Sequence, residues 1–367
     1  MRYMAESSAA FADLGTFLPL MLGLVVVAGM DPVGLLYGFG LFALLTAAVY
    51  RRPIPVQPMK AVAAMGIAGL ISADVLVATA LLMGIILIGL SQTGSIGWLK
   101  RMIPKTVLHG MRLALAVNLL MVTIDLGEPQ WLGVMALLGA LLLLQLTRLS
   151  SISCVLIVAV GWVVFSNQNT VTWSYTGWNW PQWIWPQWSD FQISVRDAVL
   201  PQLALTLTNA LILTAVIAKD YFPDDSGRIT EQRLALTSGV ANFLLAPLGA
   251  MPMCHGAGGL AAHRALGSTT GLSIAVFGLF CLFLAGVFGA SSYAILASIP
   301  SEVLVTLVIY AAWVLADPSA IMKAKPSCQI LIFLMVPVAM AFGLVASLVF
   351  GVLAEKLRIR LLQINRN

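Results

Sequence analysis

The chain has 367 residues, 60% of them hydrophobic and only 10% charged, with a formal net charge of +5. A soluble domain carries about a quarter charged residues, so this composition, with a mean hydropathy of +0.96, excludes one and indicates a polytopic α-helical membrane protein. The basic residues sit in short connecting loops, which excludes a nucleic-acid footprint as the source of the positive balance.

Apolar runs and their breakers predict spans near 8–29, 33–50, 58–72, 74–91, 104–124, 130–147 and 152–166 in the first half of the sequence. Spans near 197–218, 232–248, 255–268, 271–290, 300–316 and 328–354 follow in the second. The last run contains Pro337, so it reads as one long span or two short ones, giving thirteen or fourteen helices in all. The third and tenth are too short to cross a bilayer alone. Residues 1–8 lack the basic and apolar regions of a cleavable signal peptide, so the first span is expected to direct insertion. Six tryptophans crowd residues 167–191 and read as an interfacial aromatic layer. Cys154, Cys254, Cys281 and Cys328 fall in or beside apolar segments without metal-ligand spacing and are expected to be packing residues.

An internal duplication organises these elements. A shift of 197 lays Pro55 on Pro252, Ala64 on Ala261, Ala78 on Ala275 and Gly89 on Gly286. A shift of 196 then lays the Ile-Pro pair at 103–104 on the one at 299–300. With a cytoplasmic N-terminus, the inside loops hold Arg51, Arg52, Lys100, Arg101, Lys105, Arg148, Lys219, Arg228, Arg233, Arg264, Lys323 and Lys325. The outside loops hold Arg196 alone among bases, and carry Asp31, Asp125, Glu128 and Asp190. This positive-inside pattern predicts two seven-span repeats of opposite orientation, with both termini cytoplasmic. The expected division is residues 1–166 for the first repeat, 167–192 for an external Trp-rich linker, 193–357 for the second repeat and 358–367 for a basic cytoplasmic tail.

The chemistry should lie where both repeats break. Residues 51–60 read Arg-Arg-Pro-Ile-Pro-Val-Gln-Pro-Met-Lys, and 247–259 read Pro-Leu-Gly-Ala-Met-Pro-Met-Cys-His-Gly-Ala-Gly-Gly. Irregular backbone at membrane depth survives only where it is buried in protein or lines a cavity, and paired interrupted segments mark a transporter's substrate site. A helix starting in mid-membrane presents unpaired N–H groups and a positive dipole end, so two such ends make an anion cradle. Gly256, Gly258 and Gly259 offer backbone without bulk around Ala257, so that an anion can approach at Gly256, Ala257 and Gly258, and Pro58 suits the first turn of the other half-helix with Met59 beside it. Lys60 supplies either an attracting positive charge or a side chain that snorkels toward the surface near Arg52. Gln57 and His255 are suited to hydrogen-bonding oxyanion oxygens. In the eighth span Thr206 and Asn209 share a face, and Asn209 falls within one residue of Asp13 under the repeat shift. Asp13 and Thr16 lie in the first span; an intramembrane carboxylate reads as a coupling group for a proton or cation.

Three segments carry a family resemblance: Asp13-Leu14-Gly15-Thr16-Phe17-Leu18-Pro19, Pro55-Val56-Gln57-Pro58-Met59-Lys60 and Cys254-His255-Gly256-Ala257-Gly258-Gly259-Leu260-Ala261-Ala262. Together they resemble the signatures of the molybdate transporter family of the MOT1 type. That family is similar to the sulfate permease superfamily without its C-terminal cytoplasmic regulatory domain. The resemblance implies a fourteen-span inverted-repeat fold with core and gate subdomains, and uptake of a tetrahedral oxyanion.

The resulting expectation is an inner-membrane secondary transporter of molybdate, or of sulfate or tungstate. No cofactor, metal or nucleic acid is expected; the lipid bilayer is the surrounding partner, a coupling proton or cation is open, and so is a homodimer. The alternatives are a nucleobase permease of the same architecture, which needs carboxylates in its binding spans, and a passive anion channel. An intramembrane enzyme is excluded by the lack of a nucleophile–base pair, HExxH or GxSxG, with His109, His255 and His263 far apart.

Overall fold

The computed structural model describes residues 6, 9–96, 103–125, 129–145 and 177–364. The expected seventh span, the start of the Trp-rich linker and the last residues of the tail lie outside the described residues. The described elements of the first half are α1 (Leu14–Val26), α2 (Pro32–Tyr50), β1 (Val56–Pro58), α3 (Lys60–Ile67), α4 (Ala73–Gln92), α5 (Lys105–Asp125) and α6 (Trp131–Gln145). The second half comprises α7 (188–221), α8 (Glu231–Leu245), β2 (Met253–His255), α9 (Ala257–Ala265) and α10 (Leu272–Phe288). It ends with α11 (Ser292–Ala297), α12 (Ser301–Ala316), α13 (Pro318–Met322) and α14 (Pro326–Ile364). Among the described residues, five helical runs are long and apolar enough to cross a membrane.

Both sequence breaks are extended rather than merely kinked. Pro53, Pro55 and Pro58 deny the backbone its helical hydrogen bonds and hold the preceding residues extended. The freed groups pair instead across the molecule: β1 and β2 run antiparallel with Val56 opposite His255, Gln57 opposite Cys254 and Pro58 opposite Met253. Pro58 therefore ends a strand; the first turn of the half-helix begins at Lys60. The outer edge of β2 is completed by a side chain. Asn242 Nδ2 donates to the Met253 carbonyl (2.5 Å), and the Met253 N–H donates to Asn242 Oδ1 (2.8 Å), as a neighbouring strand would.

Helix pairing fits the 197-residue offset read from the sequence. α2 packs on α10 and α4 on α8, and a 197-residue shift carries α2 onto α8 and α4 onto α10, so each contact is the other's equivalent. Both crossings are made by glycine. A Cβ at Gly40 would stand 2.8 Å from the Gly278 carbonyl oxygen, and one at Gly84 3.0 Å from that of Gly239, so neither crossing tolerates a larger residue without separating the helices.

These elements, with α1 and α7, form one bundle around the strand pair; α5, α6, α12 and α14 form a second. α1 and α9 touch α12, joining the two. The long apolar run at the C-terminus breaks at Gly343 (φ 85°), not at the expected Pro337, which sits within the first helical stretch. Glycine reaches that conformation without steric cost. α7 is one helical run in which Ser194–Val199 and Thr206–Leu213 are wound as π-helix. Its lengthened turns are closed in part by the Thr214 hydroxyl, which donates to the Asn209 carbonyl five residues back (2.9 Å).

Candidate functional site

The antiparallel strands bring the starts of α3 and α9 to one place, between the bundles. α3 has eight residues, so at 1.5 Å per residue it spans about 12 Å, well short of a bilayer's hydrocarbon core. A cavity of about 360 Å³ lies against this junction. Gln57, Pro58, Lys60 and Ala61 line it from the first break, and Cys254 and His255 from the second. α7 contributes Gln202, Thr206 and Asn209, and the second bundle contributes Leu115, Asn118, Ala339, Met340 and Gly343. The break in α14 thus falls at the cavity wall. Among these lining residues there is one lysine and no carboxylate.

Lys60 is in the cavity wall and makes no ion pair among the described residues. Arg52, by contrast, is held away from it by Asp225 (2.5 Å) and the Thr269 carbonyl (2.9 Å). An unpaired lysine at this depth gives the cavity a positive potential.

Asp13 and Thr16 do not line the cavity; they stand behind Gln57. The Gln57 amide nitrogen donates to Asp13 Oδ2 (2.5 Å), and the Thr16 hydroxyl donates to Asp13 Oδ1. Gln57 reaches this position only because its neighbours are glycine. A Cβ at Gly256 would fall on the Gln57 amide, and one at Gly259 would fall on Asp13 Oδ2. The Cα sides of these two glycines are therefore occupied by the Gln57 amide and the Asp13 carboxylate, which leaves the N–H side of the helix start as the face open to an anion.

His255 is spent on structure. It is fully buried, and its Nδ1 lies 3.1 Å from the Pro55 carbonyl oxygen, which can only accept. Nδ1 therefore carries the hydrogen, and in that tautomer Nε2 accepts from the Thr237 hydroxyl (2.8 Å), itself 2.7 Å from the Tyr50 hydroxyl. With both nitrogens engaged and the ring packed edge-on to Tyr50, the side chain braces one break against the other. Met59 is likewise interior; its N–H donates to the Pro252 carbonyl (2.9 Å).

The half-helix ends differ in what meets them. At α9, the N–H groups of Ala257, Gly258 and Gly259 have no partner among the described residues, and no side chain caps the helix. At α3, Gln202 Oε1 accepts from the N–H groups of Ala61 (3.0 Å) and Val62 (3.3 Å). Sequence reading missed Gln202 and Asn118; the signal for Gln202 is its place one turn before Thr206 on the face that also carries Asn209. Asn209 was expected, and its Oδ1 is a buried oxygen without a partner among the described residues. Arg112, a buried residue of α5 about two turns from Asn118, contacts Asp220 at the end of α7 (3.2 Å) and Asp317 before α13 (3.4 Å).

A multi-pass helical protein with two strand-pinned half-helices abutting a central cavity has the build of a membrane transporter, and solved structures bear this out at the level of fold. The transmembrane domain of a cyanobacterium bicarbonate transporter, BicA, superposes with a TM-score of 0.59 at 14% identity, covering 95% of this chain and 96% of that one. SLC26A9 superposes at 0.62 with 12% identity, covering 97% of this chain and 65% of the other. The sequence profile of the family described as "Molybdate transporter of MFS superfamily" matches residues 5–119 and 194–315, and the chain belongs to that family. Its relatives include Molybdate transporter 2 of Arabidopsis thaliana, 29% identical over 89% of this chain and 81% of the relative. Molybdate transporter 1 of the same plant is 26% identical over 88% and 81%. These are transporters, not enzymes.

Proposed function

We propose that this protein is a secondary transporter importing molybdate, or the closely related sulfate or tungstate, across a cell's inner membrane by alternating access. The observation that carries the reading is the meeting of two half-helix starts beside a cavity whose one charged lining residue is Lys60. Backbone N–H groups, two helix dipoles with their positive ends at the junction and an unpaired lysine favour an anion and supply nothing that recognises a cation. A nucleobase permease is disfavoured by the same wall, since no carboxylate lines it to pair with ring N–H groups. The named molybdate transporters among the relatives favour that anion.

The anion sits at the α9 start, near Gly256, Ala257 and Gly258, with Lys60 and Asn209 across from it. Gln57 and Thr16 hold Asp13 behind that start. Asp13 is the coupling group: its carboxylate and the anion share the field of one helix end, so a proton or cation on Asp13 favours the anion, and the reverse by linkage. The two bundles act as core and gate, residues 1–166 and 193–357 as inverted repeats, and both termini lie in the cytoplasm.

The test is uptake of molybdate by cells lacking their own molybdate importer, measured by mass spectrometry with sulfate in competition. Accumulation that depends on Lys60 is expected, and Lys60→Ala should remove it while the protein still inserts. Robust sulfate uptake without molybdate accumulation would overturn the substrate assignment.

A further inference from the structure

The two half-helix starts are equivalent under the repeat, yet one is occupied from within the protein. Gln202 is 2% exposed and wedged between α7 and α3. Its Oε1 takes two first-turn N–H groups of α3, at 3.0 and 3.3 Å, in the way an oxyanion oxygen would. Its Nε2 donates to the Thr206 hydroxyl (3.0 Å), which opens the second π-wound stretch of α7 and fixes the amide orientation. The neighbouring Met59 N–H is taken by the Pro252 carbonyl. Of the first α3 donors only Lys60 N–H is left without a partner among the described residues, whereas α9 keeps three, at Ala257, Gly258 and Gly259. Gln202 also borders the cavity, so the groups that it covers face the space an anion enters.

We propose that Gln202 is a specificity-determining residue: its carboxamide oxygen fills the α3 seat, confines the transported oxyanion to the α9 seat, and keeps affinity low enough for release. A neutral oxygen suits this role. It satisfies the two N–H groups without placing a negative charge beside the substrate, and an anion bridging both helix ends at once would be held too tightly to leave. The inference rests on the function proposed above.

The experiment measures molybdate binding to purified protein in lipid nanodiscs, by calorimetry, with uptake in proteoliposomes alongside. In Gln202→Ala the α3 donors become available, so molybdate binds about tenfold more tightly, the equivalent of one charge-assisted hydrogen bond. Both KM and kcat of uptake fall, because release slows. In Gln202→Glu the cap persists but a charge faces the substrate, so binding weakens by about tenfold or more. A residue that merely caps α3 gives another pattern: the acidic variant binds like wild type, because a carboxylate at a helix start caps well. That result overturns the proposal, as does a folded alanine variant with unchanged or weaker binding. Should the alanine variant fail to fold, the acidic variant alone decides. Wild-type protein that binds neither molybdate nor sulfate refutes the function itself, whereas normal wild-type binding with unaltered variants refutes only the role of Gln202.

Discussion

Gln57 and Cys254 face each other across the strand pair, and they are 197 residues apart, the offset that relates the two halves of the sequence. The pair is the middle one of the three that join the two breaks. From that point the two chains leave in opposite directions, each into a half-helix. The bracing around the pair decides how firmly the half-helix starts are held, and His255 is its central member.

His255→Ala should act on stability before it acts on affinity. Removing the ring leaves the Pro55 carbonyl without its donor in a buried setting and opens a void beside Tyr50, while the Thr237 hydroxyl turns back to the Arg233 carbonyl (3.0 Å). The cost is about 2–4 kcal/mol from the unsatisfied carbonyl and lost packing. A lowered unfolding midpoint of detergent-purified protein, with poor yield from membranes, is expected. A variant as stable as wild type that shows only a raised KM would make the ring a substrate ligand after all.

Gly259→Ala should disable transport through crowding rather than misinsertion. The added methyl would collide with Asp13 Oδ2 and stand 2.8 Å from the Gln57 amide nitrogen, forcing apart the hydrogen bond that ties α1 to the first break. Uptake should fall at least about tenfold, a loss in keeping with disruption of a positioned polar contact. Surface abundance should be unchanged. At Gly89, where a Cβ would meet nothing within 4 Å, alanine should be neutral in the same assay.

Coupling through Asp13 has a definite sign. The carboxylate lies against the first turn of α9, the end proposed to seat the anion, so its negative charge opposes the substrate's. Protonation removes that opposition, and wild-type uptake should rise as pH falls. Asp13→Asn keeps the shape and is permanently neutral, so its uptake should be high and nearly flat with pH. A mutant profile that tracks wild type would remove Asp13 from coupling.

Much of this architecture is legible in the sequence because proline and glycine act locally. The prolines at 53, 55 and 58 must interrupt a helix wherever they fall in space, and their repetition near 247–252 locates the partner break. Low charge and uneven lysine and arginine placement report the bilayer directly. What the pattern hides is who satisfies whom. Nothing local distinguishes Asn242, which imitates a strand edge, from a polar residue that glues helices together. Gln202, which the pattern leaves without a role, and His255, which it places at the substrate, depart from expectation for the same reason: the glutamine lies far from either break along the chain, yet tertiary packing delivers it to a helix start. The histidine lies within a break but is turned toward Tyr50. The fracture of α14 at Gly343 rather than Pro337 is a further case, since proline is tolerated in a membrane helix when its surroundings allow, and only the fold tells which residue yields.

Arg112 links the bundles and should bias access to the cavity. It sits on α5 of the second bundle, 6% exposed, and reaches Asp220 at the end of α7 in the first. Its other carboxylate, Asp317, belongs to the second bundle's own turn between α12 and α13. Movement of one bundle against the other must part Arg112 from Asp220 while sparing Asp317. Asp220 is about half exposed (54%), so it rehydrates readily when the contact opens, and the contact is worth only about 1 kcal/mol. That is enough to change the ratio of open to closed states about fivefold. Cys254 lies in the cavity wall and reports the change without an added label site. In Arg112→Ala, a membrane-impermeant maleimide applied from the cytoplasmic side should modify Cys254 several-fold faster than in wild type, with Cys254→Ser as the blank. Asp220→Asn should reproduce the effect, whereas Asp317→Asn should give a smaller one. Equal labelling rates in all four proteins would mean that the contact is a surface accident of one conformation and does not hold the bundles together.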